Sequence, residues 1–436
     1  MRTRSLFGVI ATISLIASAC SSSATPSPST ASAPPASATA PATPPPSATG
    51  SVPAESATPA PSGPAPIASI GPGEGELDIV VWPGYAEDGS NVKEYDWVHP
   101  FEAANPDCGK VNVKPADTSD DMYTLMTQNH GLYDGVSASG DASNRLIEAG
   151  EISPVDPTIF PDFKDIAQFL QSPAHNTVNG VHYGVSHGWG GNTLMYRTDI
   201  VKPIPTSWGA IFDPAASKPY QGRITDYSGT IYIADAALYL KDSKPELGIT
   251  DPYELTQPQF DAVVALLKAQ HPWVGKYWTS YTDEIANFTG KDPATVIGTT
   301  WQYQTNALIA AKVPVTAVVP SEGMTGWADT WMLSSTAKHP NCMLKWMAWM
   351  ITPQVQAEVA EYFGEAPANP KACDILNKGF GSYAIPNFCD AYKVTDIYFY
   401  NKISFWKTPS TDCGDDRGNT CVGYDQWLQA YTDIKG

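Results

Sequence analysis

The chain has 436 residues, with 26 Lys and Arg against 45 Asp and Glu and a formal net charge of −19. That length exceeds one compact core and leaves room for two domains of ordinary size. The acidic balance argues against nucleic acid as a partner and attracts cationic solutes over long range.

The N-terminus, MRTRSLFGVIATISLIASAC, has Arg2 and Arg4, an apolar run from Leu6 to Ala17 and small residues before Cys20. This is the organisation of a secretory signal, covering residues 1–19. Ala17-Ser18-Ala19-Cys20 resembles the lipobox of bacterial lipoproteins, with alanine at the position usually held by leucine. The resemblance implies diacylation of Cys20 and an extracytoplasmic protein anchored to the membrane by lipid. No later run approaches the ~20 apolar residues that a membrane span needs. Residues 20–73 are Ser, Pro, Ala and Thr almost without interruption. Such a segment buries too little surface to offset chain entropy, so a disordered linker is expected, reaching on the order of 40 Å as a flexible coil.

Order is expected from Glu76, where LDIVVW reads as a buried strand, followed by a helix over Tyr95 to Ala104 and the strand VNVKPA. A helix from Asp120 to about Asn129, the short strand YDGVSAS and a helix ending near Gly150 follow. Strand and helix alternate, which predicts sheets with helices on their faces and places Trp82, Tyr85 and Ser139 at strand carboxyl ends, where ligands bind. VHYGVSHGWGGNTLMYRTDIV has two apolar runs divided by glycines around Trp189 and reads as a strand crossing between lobes. A second α/β unit follows, with a strand ending at Asp226, helices over Thr230 to Leu240 and Gln257 to Ala269, a strand meeting a helix at Trp301, and the strand VPVTAVVP. The stretch EGMTGWADTW, Glu322 to Trp331, has neither helical nor strand periodicity and is expected to be a loop or crossing. Helices are expected over Pro340 to Met350 and Pro353 to Phe363, the latter started by Thr352 and Pro353 and stopped by Gly364. Trp346 and Trp349 fall at helical spacing and belong to the core.

Six cysteines remain, at 108, 342, 373, 389, 413 and 421, and outside the cytosol an even set suggests disulfides. Fifteen pairings are open in principle. Nearness in sequence favours Cys413 with Cys421 and Cys373 with Cys389, leaving Cys108 with Cys342. No CxxC pair occurs, so no metal site or cofactor is expected.

Trp82, Trp189, Trp301 and Trp327 each sit where a strand or crossing meets glycine, proline or polar residues. An aromatic wall holds the apolar body of a solute, and an ammonium over a ring face gains about 0.5 to 2 kcal/mol. Asp329, between Trp327 and Trp331, is suited to pair with the cationic end. No GxSxG, HExxH or Walker-type sequence occurs and the histidines do not cluster, so binding rather than catalysis is expected, a surface hydrolase being the remote alternative. A ferric site built on adjacent tyrosines finds no Tyr-Tyr pair.

From about Leu77 onward the chain resembles the polyamine-binding proteins of ABC importers, the spermidine/putrescine family of bilobal extracellular solute-binding proteins. The resemblance is carried by EGMTGWADTWMLSSTAKHPNCMLKWMAWMITPQVQAEVAEYFGEAPAN, with weaker matches in VVWPGYA, LYDGVSAS, RLIEAG and PTSWGAIFDPAASKPYQGRITDY. It implies a two-lobe periplasmic-binding-protein-like fold of type II, each lobe a central sheet flanked by helices, joined by crossing segments. Lobe 1 is expected over 74–190 plus 327–370, and lobe 2 over 191–326 plus 371–436. The implied partners are a small cationic solute and a membrane permease, and a monomer is expected. The implied ligand residues are Trp82 and Tyr85 on one wall, Trp301 and Trp327 on the other, Ser139, and Asp329 as the carboxylate that receives an amine. Departures are expected to bear on the ligand. Gly140 and Asp141 stand where the family is aromatic, Tyr227 and Thr230 beside Asp226 replace its acidic pair, Glu365 replaces a tyrosine, and Lys407 falls close to where the family has a polar amide. Asp141, Asp226 and Glu365 form a rearranged set of carboxylates, or the solute differs and is a sugar or organic anion. Lys407 either faces the ligand, which would repel a cation, or is solvated.

Overall fold

The computed structural model describes residues 65–435. The expected signal peptide, the expected lipidation site Cys20 and most of the expected linker lie outside the described residues. The strands are β1 (Glu76–Val81), β2 (Lys110–Pro115), β3 (Gly135–Ala138), β4 (Thr177–Val178), β5 (Val181–His182), β6 (Val185–Arg197) and β7 (Ile224–Tyr227). They continue with β8 (Val274–Trp278), β9 (Ile297–Trp301), β10 (Val315–Val318), β11 (Met324–Leu333), β12 (Ala366–Pro367) and β13 (Ile403–Phe405). All but the β4–β5 hairpin join one sheet whose main path runs β2-β1-β3-β11-β6-β9-β7-β8. On one side of that path β1 lies parallel to β2 and β3, and on the other β7 lies parallel to β8 and β9.

Between these parallel sets run two long strands, β6 and β11, paired antiparallel from Gly326 opposite Gly191 to Trp331 opposite Val185. β6 then continues past Gly191 to pair with β9 through Asn192 to Tyr196. The strand expected around Trp189 is therefore present, and of the loop or crossing expected at EGMTGWADTW the loop is not formed, Met324–Leu333 being strand. Every residue of β11 is buried. A strand covered on both faces loses the polar alternation by which strands are recognised, and the threonines and tryptophans of MTGWADTW suit a packed sheet position.

The helices over Ser119–Gln128 and Gly140–Glu148 cover one small core built on Val80, Met122, Leu146 and Met332. The expected helix near Tyr95 begins later, at Val98, because Tyr95 and Trp97 are fully buried ahead of it. Helix Pro340–Met350 is present as expected, with Trp346 fully buried. The next helix is α-helical over Pro353–Val359 and then widens into a π-helical turn, Ala360–Gly364. Gly364 ends it at φ +84°, where an added Cβ would lie 2.2 Å from Tyr303. All three expected disulfides are formed: Cys108–Cys342, Cys373–Cys389 and Cys413–Cys421. No helix among the described residues is long and apolar enough to cross a membrane.

The last part of the expected linker is docked instead of free. Ile67 bridges to Val155, with its N–H 3.0 Å from the Pro154 carbonyl. Ile67 and Ile70 pack on the core, two apolar residues that a Ser/Pro/Ala average conceals.

Candidate ligand-binding site

Several strands of both parallel sets end at one place. Trp82 follows β1, Ser139 follows β3, Tyr227 ends β7, Thr279 follows β8 and Trp301 ends β9. All five line a cavity of about 440 Å³. β11 enters the same cavity side-on with Trp327 and Asp329, two residues apart and hence on one face. Beyond Asp329 the register with β6 shifts, and Trp331 instead packs on Trp346, ring centroids 5.7 Å apart. Bulges of this kind re-aim side chains beside functional sites.

The cavity is largely aromatic. Trp301 stands 6.4 Å from Trp327 and Trp327 stands 6.3 Å from Phe363, each pair edge to face. The Trp301 indole is held by donating to the Tyr232 hydroxyl at 3.1 Å. Three of these aromatic positions were missed or underweighted in the sequence: Phe363, delivered by the π-helical turn, Trp406, just after β13, and Tyr281 at the rim, 46 % exposed. Trp406 follows the same strand-end pattern as Trp82 and Trp301, so that signal was available.

Glycines in β6 make room for these side chains. A Cβ on Gly190 would lie 2.7 Å from the Trp327 indole, and one on Gly188 would lie 2.1 Å from the Glu365 carboxyl group. The HGWGGN sequence is thus the floor on which the site rests.

Asp329 is 2 % exposed. The Ser139 hydroxyl donates to its Oδ1 at 2.5 Å, and Tyr85 Oη lies 2.6 Å from its Oδ2. Burial pushes the carboxyl up to about 7, with the Ser139 and Tyr85 hydrogen bonds opposing and the charge of Asp141 adding. Tyr85 does not line the cavity; fully buried behind Asp329, it also lies 2.6 Å from Glu365 Oε2. Burial raises Glu365 well above the usual carboxylate range, against the Tyr85 hydrogen bond.

A second chamber of about 380 Å³ shares Thr118, Tyr227 and Trp406 with the first and lies under helix Tyr424–Lys435. Asp141 lines it, accepting from the Ser119 hydroxyl at 2.9 Å, and burial pushes its carboxyl up to about 6. Thr230 is also in its wall.

Four expected ligand residues line neither chamber: Tyr85 and Glu365, joined to each other behind Asp329, and Trp189 and Asp226, which lie elsewhere. Trp189 is fully buried against Phe169 and Phe405, ring centroids 5.3 and 6.3 Å away. Its flanking glycines serve Glu365 and Trp327 instead. Asp226 precedes Tyr227 on β7, so alternation turns it off the cavity face; burial pushes its carboxyl up to about 7. Lys407 is drawn aside by Asp251, 3.0 Å away, and Glu254, which removes the repulsion feared for a cationic ligand.

Among the described residues Glu76, Asp78 and His339 bring potential metal-ligating atoms within 4.8 Å of one another. They lie at the amino end of β1, away from the cavity. His339 there meets Asp134 at 2.9 Å, whose other oxygen accepts the Lys338 and His339 N–H groups, the arrangement of a helix-start clamp.

Residues 96–383 match the sequence profile of the family described as bacterial extracellular solute-binding protein. The spermidine/putrescine-binding periplasmic protein of Escherichia coli K12 is 24 % identical over 323 residues, 70 % of this chain and 84 % of that protein. Among solved structures, the spermidine/putrescine ABC transporter substrate-binding protein PotD of Streptococcus pneumoniae superposes with a TM-score of 0.60 at 17 % identity, covering 83 % of this chain and 97 % of that one. The TpPotD lipoprotein of Treponema pallidum gives 0.63 at 13 %, covering 82 % and 99 %. With strand carboxyl ends meeting at one aromatic cavity and a profile match over most of its length, the chain belongs to the bacterial extracellular solute-binding protein family.

Proposed function

We propose that this chain is the substrate-binding component of an ABC importer and that it captures a polyamine of the putrescine/spermidine kind, or a similar small cationic amine. The observation that carries the reading is Asp329: a buried carboxylate held by Ser139 and Tyr85 at one end of a cavity walled by Trp82, Trp301, Trp327, Phe363 and Trp406. The indoles and the phenyl ring hold a methylene chain, and a charge-assisted bond to Asp329 selects its ammonium group. Asp141 in the second chamber supplies a carboxylate for a distal amine, in place of the acidic pair that Tyr227 and Thr230 replace. The lobes that close on the ligand are 74–190 plus 327–370 and 191–326 plus 371–436, with β6 and β11 as crossings. The role is binding, not catalysis. The protein acts as a monomer outside the cytoplasm, tethered through lipid on Cys20, and delivers its solute to a membrane permease.

Titration calorimetry with putrescine, spermidine, a neutral sugar and a dicarboxylate tests this reading. Saturable heats with the amines are expected, and Asp329→Asn lowers their affinity roughly a hundredfold, about 3 kcal/mol. Heats of dilution alone from both amines, with binding of the sugar or the dicarboxylate, overturn it in favour of another solute on the same fold.

A further inference from the structure

A phenolic hydroxyl carries one hydrogen, yet Tyr85 Oη lies 2.6 Å from Asp329 Oδ2 and 2.6 Å from Glu365 Oε2, with all three side chains buried. Both contacts have the length of an O–H···O hydrogen bond involving an ionisable group. Two hydrogens are therefore needed in the two gaps, and the phenol supplies only one. With both carboxyls ionised, one gap would hold a lone pair facing a negative oxygen at 2.6 Å in a buried place, which is strongly unfavourable. The second hydrogen belongs to a carboxyl group.

We infer that Glu365 holds that proton: it donates to Tyr85, Tyr85 is thereby turned to donate to Asp329, and Asp329 is left as the one formal negative charge of the cluster, matched to a single cationic group. The surroundings decide between the two acids. Asp329 has a second donor, the Ser139 hydroxyl on Oδ1, which favours its ionised form. Among the described residues the Glu365 carboxyl has Tyr85 alone as hydrogen-bond partner: His187, on β6, has its Nδ1 3.7 Å from Oε1, beyond hydrogen-bond reach. Burial pushes the His187 imidazole down to about 3, so it is neutral and supplies no compensating charge. The other titratable neighbours are the Tyr392 hydroxyl, itself raised by burial, and Asp141, whose charge acts on Asp329. Lys407 is committed to Asp251 and Glu254. Burial raises Glu365 well above the carboxylate range, in the same sense as the proton count.

Glu365 is thus a positioning residue that acts through Tyr85. This deepens the polyamine reading by setting the charge at one end of the site, and the proton count itself needs no ligand. The infrared difference between the ligand-free protein and its Glu365→Gln variant at neutral pH is expected to show the carbonyl band of a protonated carboxylic acid, present only in the unsubstituted chain. Carboxylate bands there instead overturn the inference. In calorimetry, glutamine offers Tyr85 an amide N–H in place of the acid O–H, so putrescine affinity is expected to stay within about threefold. A loss of about a hundredfold or more, with an unchanged circular dichroism spectrum, means that ionised Glu365 pairs with the ligand and overturns it equally. If neither protein binds an amine, the polyamine reading falls and the infrared result still decides the proton's place.

Discussion

Ser139 occupies the N-cap position of helix Gly140–Glu148, where a serine hydroxyl normally accepts from the helix's first N–H groups, worth about 1 kcal/mol. Here it makes no such cap and donates to Asp329 instead. Local stability is given up to hold one carboxylate ready. That carboxylate, pushed up to about 7 by burial, is the anion above that pH and takes up a proton as pH falls through it. A cation binds the anion, so below about 7 a proton must leave first. Putrescine affinity is accordingly expected to fall towards tenfold per pH unit as pH drops from about 7 to about 5, and to level off above about 8. Calorimetry across that range checks it, and the weaker binding of Asp329→Asn should vary far less. For folding the sign is opposite. Because the folded pKa lies above the unfolded value of 3.8, the stability that Asp329 contributes is fully present below about 4 and is lost as pH rises through about 7. At this scale the sequence was legible where a residue ends a strand: Trp82, Ser139, Tyr227 and Trp301 all reach the cavity. It was not legible at Trp189, whose neighbouring glycines mark the approach of other side chains, Glu365 and Trp327.

β11 was the hardest element to recognise and the one that matters most. Patterning reveals a strand when one face is wet. MTGWADTWML has none, lying between β3 and β6 with all ten residues buried. The composition that made it look like a loop, small residues among tryptophans, is what a central strand needs when it must present large side chains to a cavity. β6 is its counterpart. Gly190 leaves the Trp327 indole room to lie on the strand, and a Cβ there would come within 2.7 Å of it. Gly190→Ala is therefore expected to displace the indole, destabilise the fold by about 1 to 3 kcal/mol, and weaken amine binding about tenfold or more by opening the wall between Trp301 and Phe363. A urea midpoint and a dissociation constant both unchanged would show that Trp327 yields freely and that the glycine is not needed. The π-helical turn Ala360–Gly364 is a second device of this kind. Helical periodicity predicted the helix but not its widening, which turns Phe363 into the cavity.

At the scale of the whole molecule, the alternation of strands and helices and the order of motifs made the fold legible, and nearness in sequence left Cys108 to pair with Cys342, but no motif marks the other contacts that close distant segments on one another. The contact that Gly73 and Glu74 make on entering the fold is one of them. Gly73 donates to the Asp107 carboxylate at 2.6 Å, and the Glu74 carboxylate accepts from the Asn341 and Cys342 N–H groups, so the entering chain is clamped to the start of helix Pro340–Met350. The Cys108–Cys342 disulfide lies at this clamp and joins residues 234 apart in sequence, whereas Cys413–Cys421 joins residues 8 apart. A cross-link stabilises mainly by restricting the unfolded chain, and the restriction grows with the logarithm of the loop it closes. Replacing both Cys108 and Cys342 with serine is therefore expected to remove roughly 5 kcal/mol, against roughly 2.5 kcal/mol for the pair at Cys413 and Cys421. Equilibrium urea unfolding of the two double variants measures the difference, with the larger change in denaturant slope also expected for the longer loop. Equal losses would mean that the unfolded chain is already compact around these segments. Since neither bond touches the cavity, putrescine affinity should be unaltered in both variants under conditions where they remain folded, separating the work of holding the molecule together from that of holding its ligand.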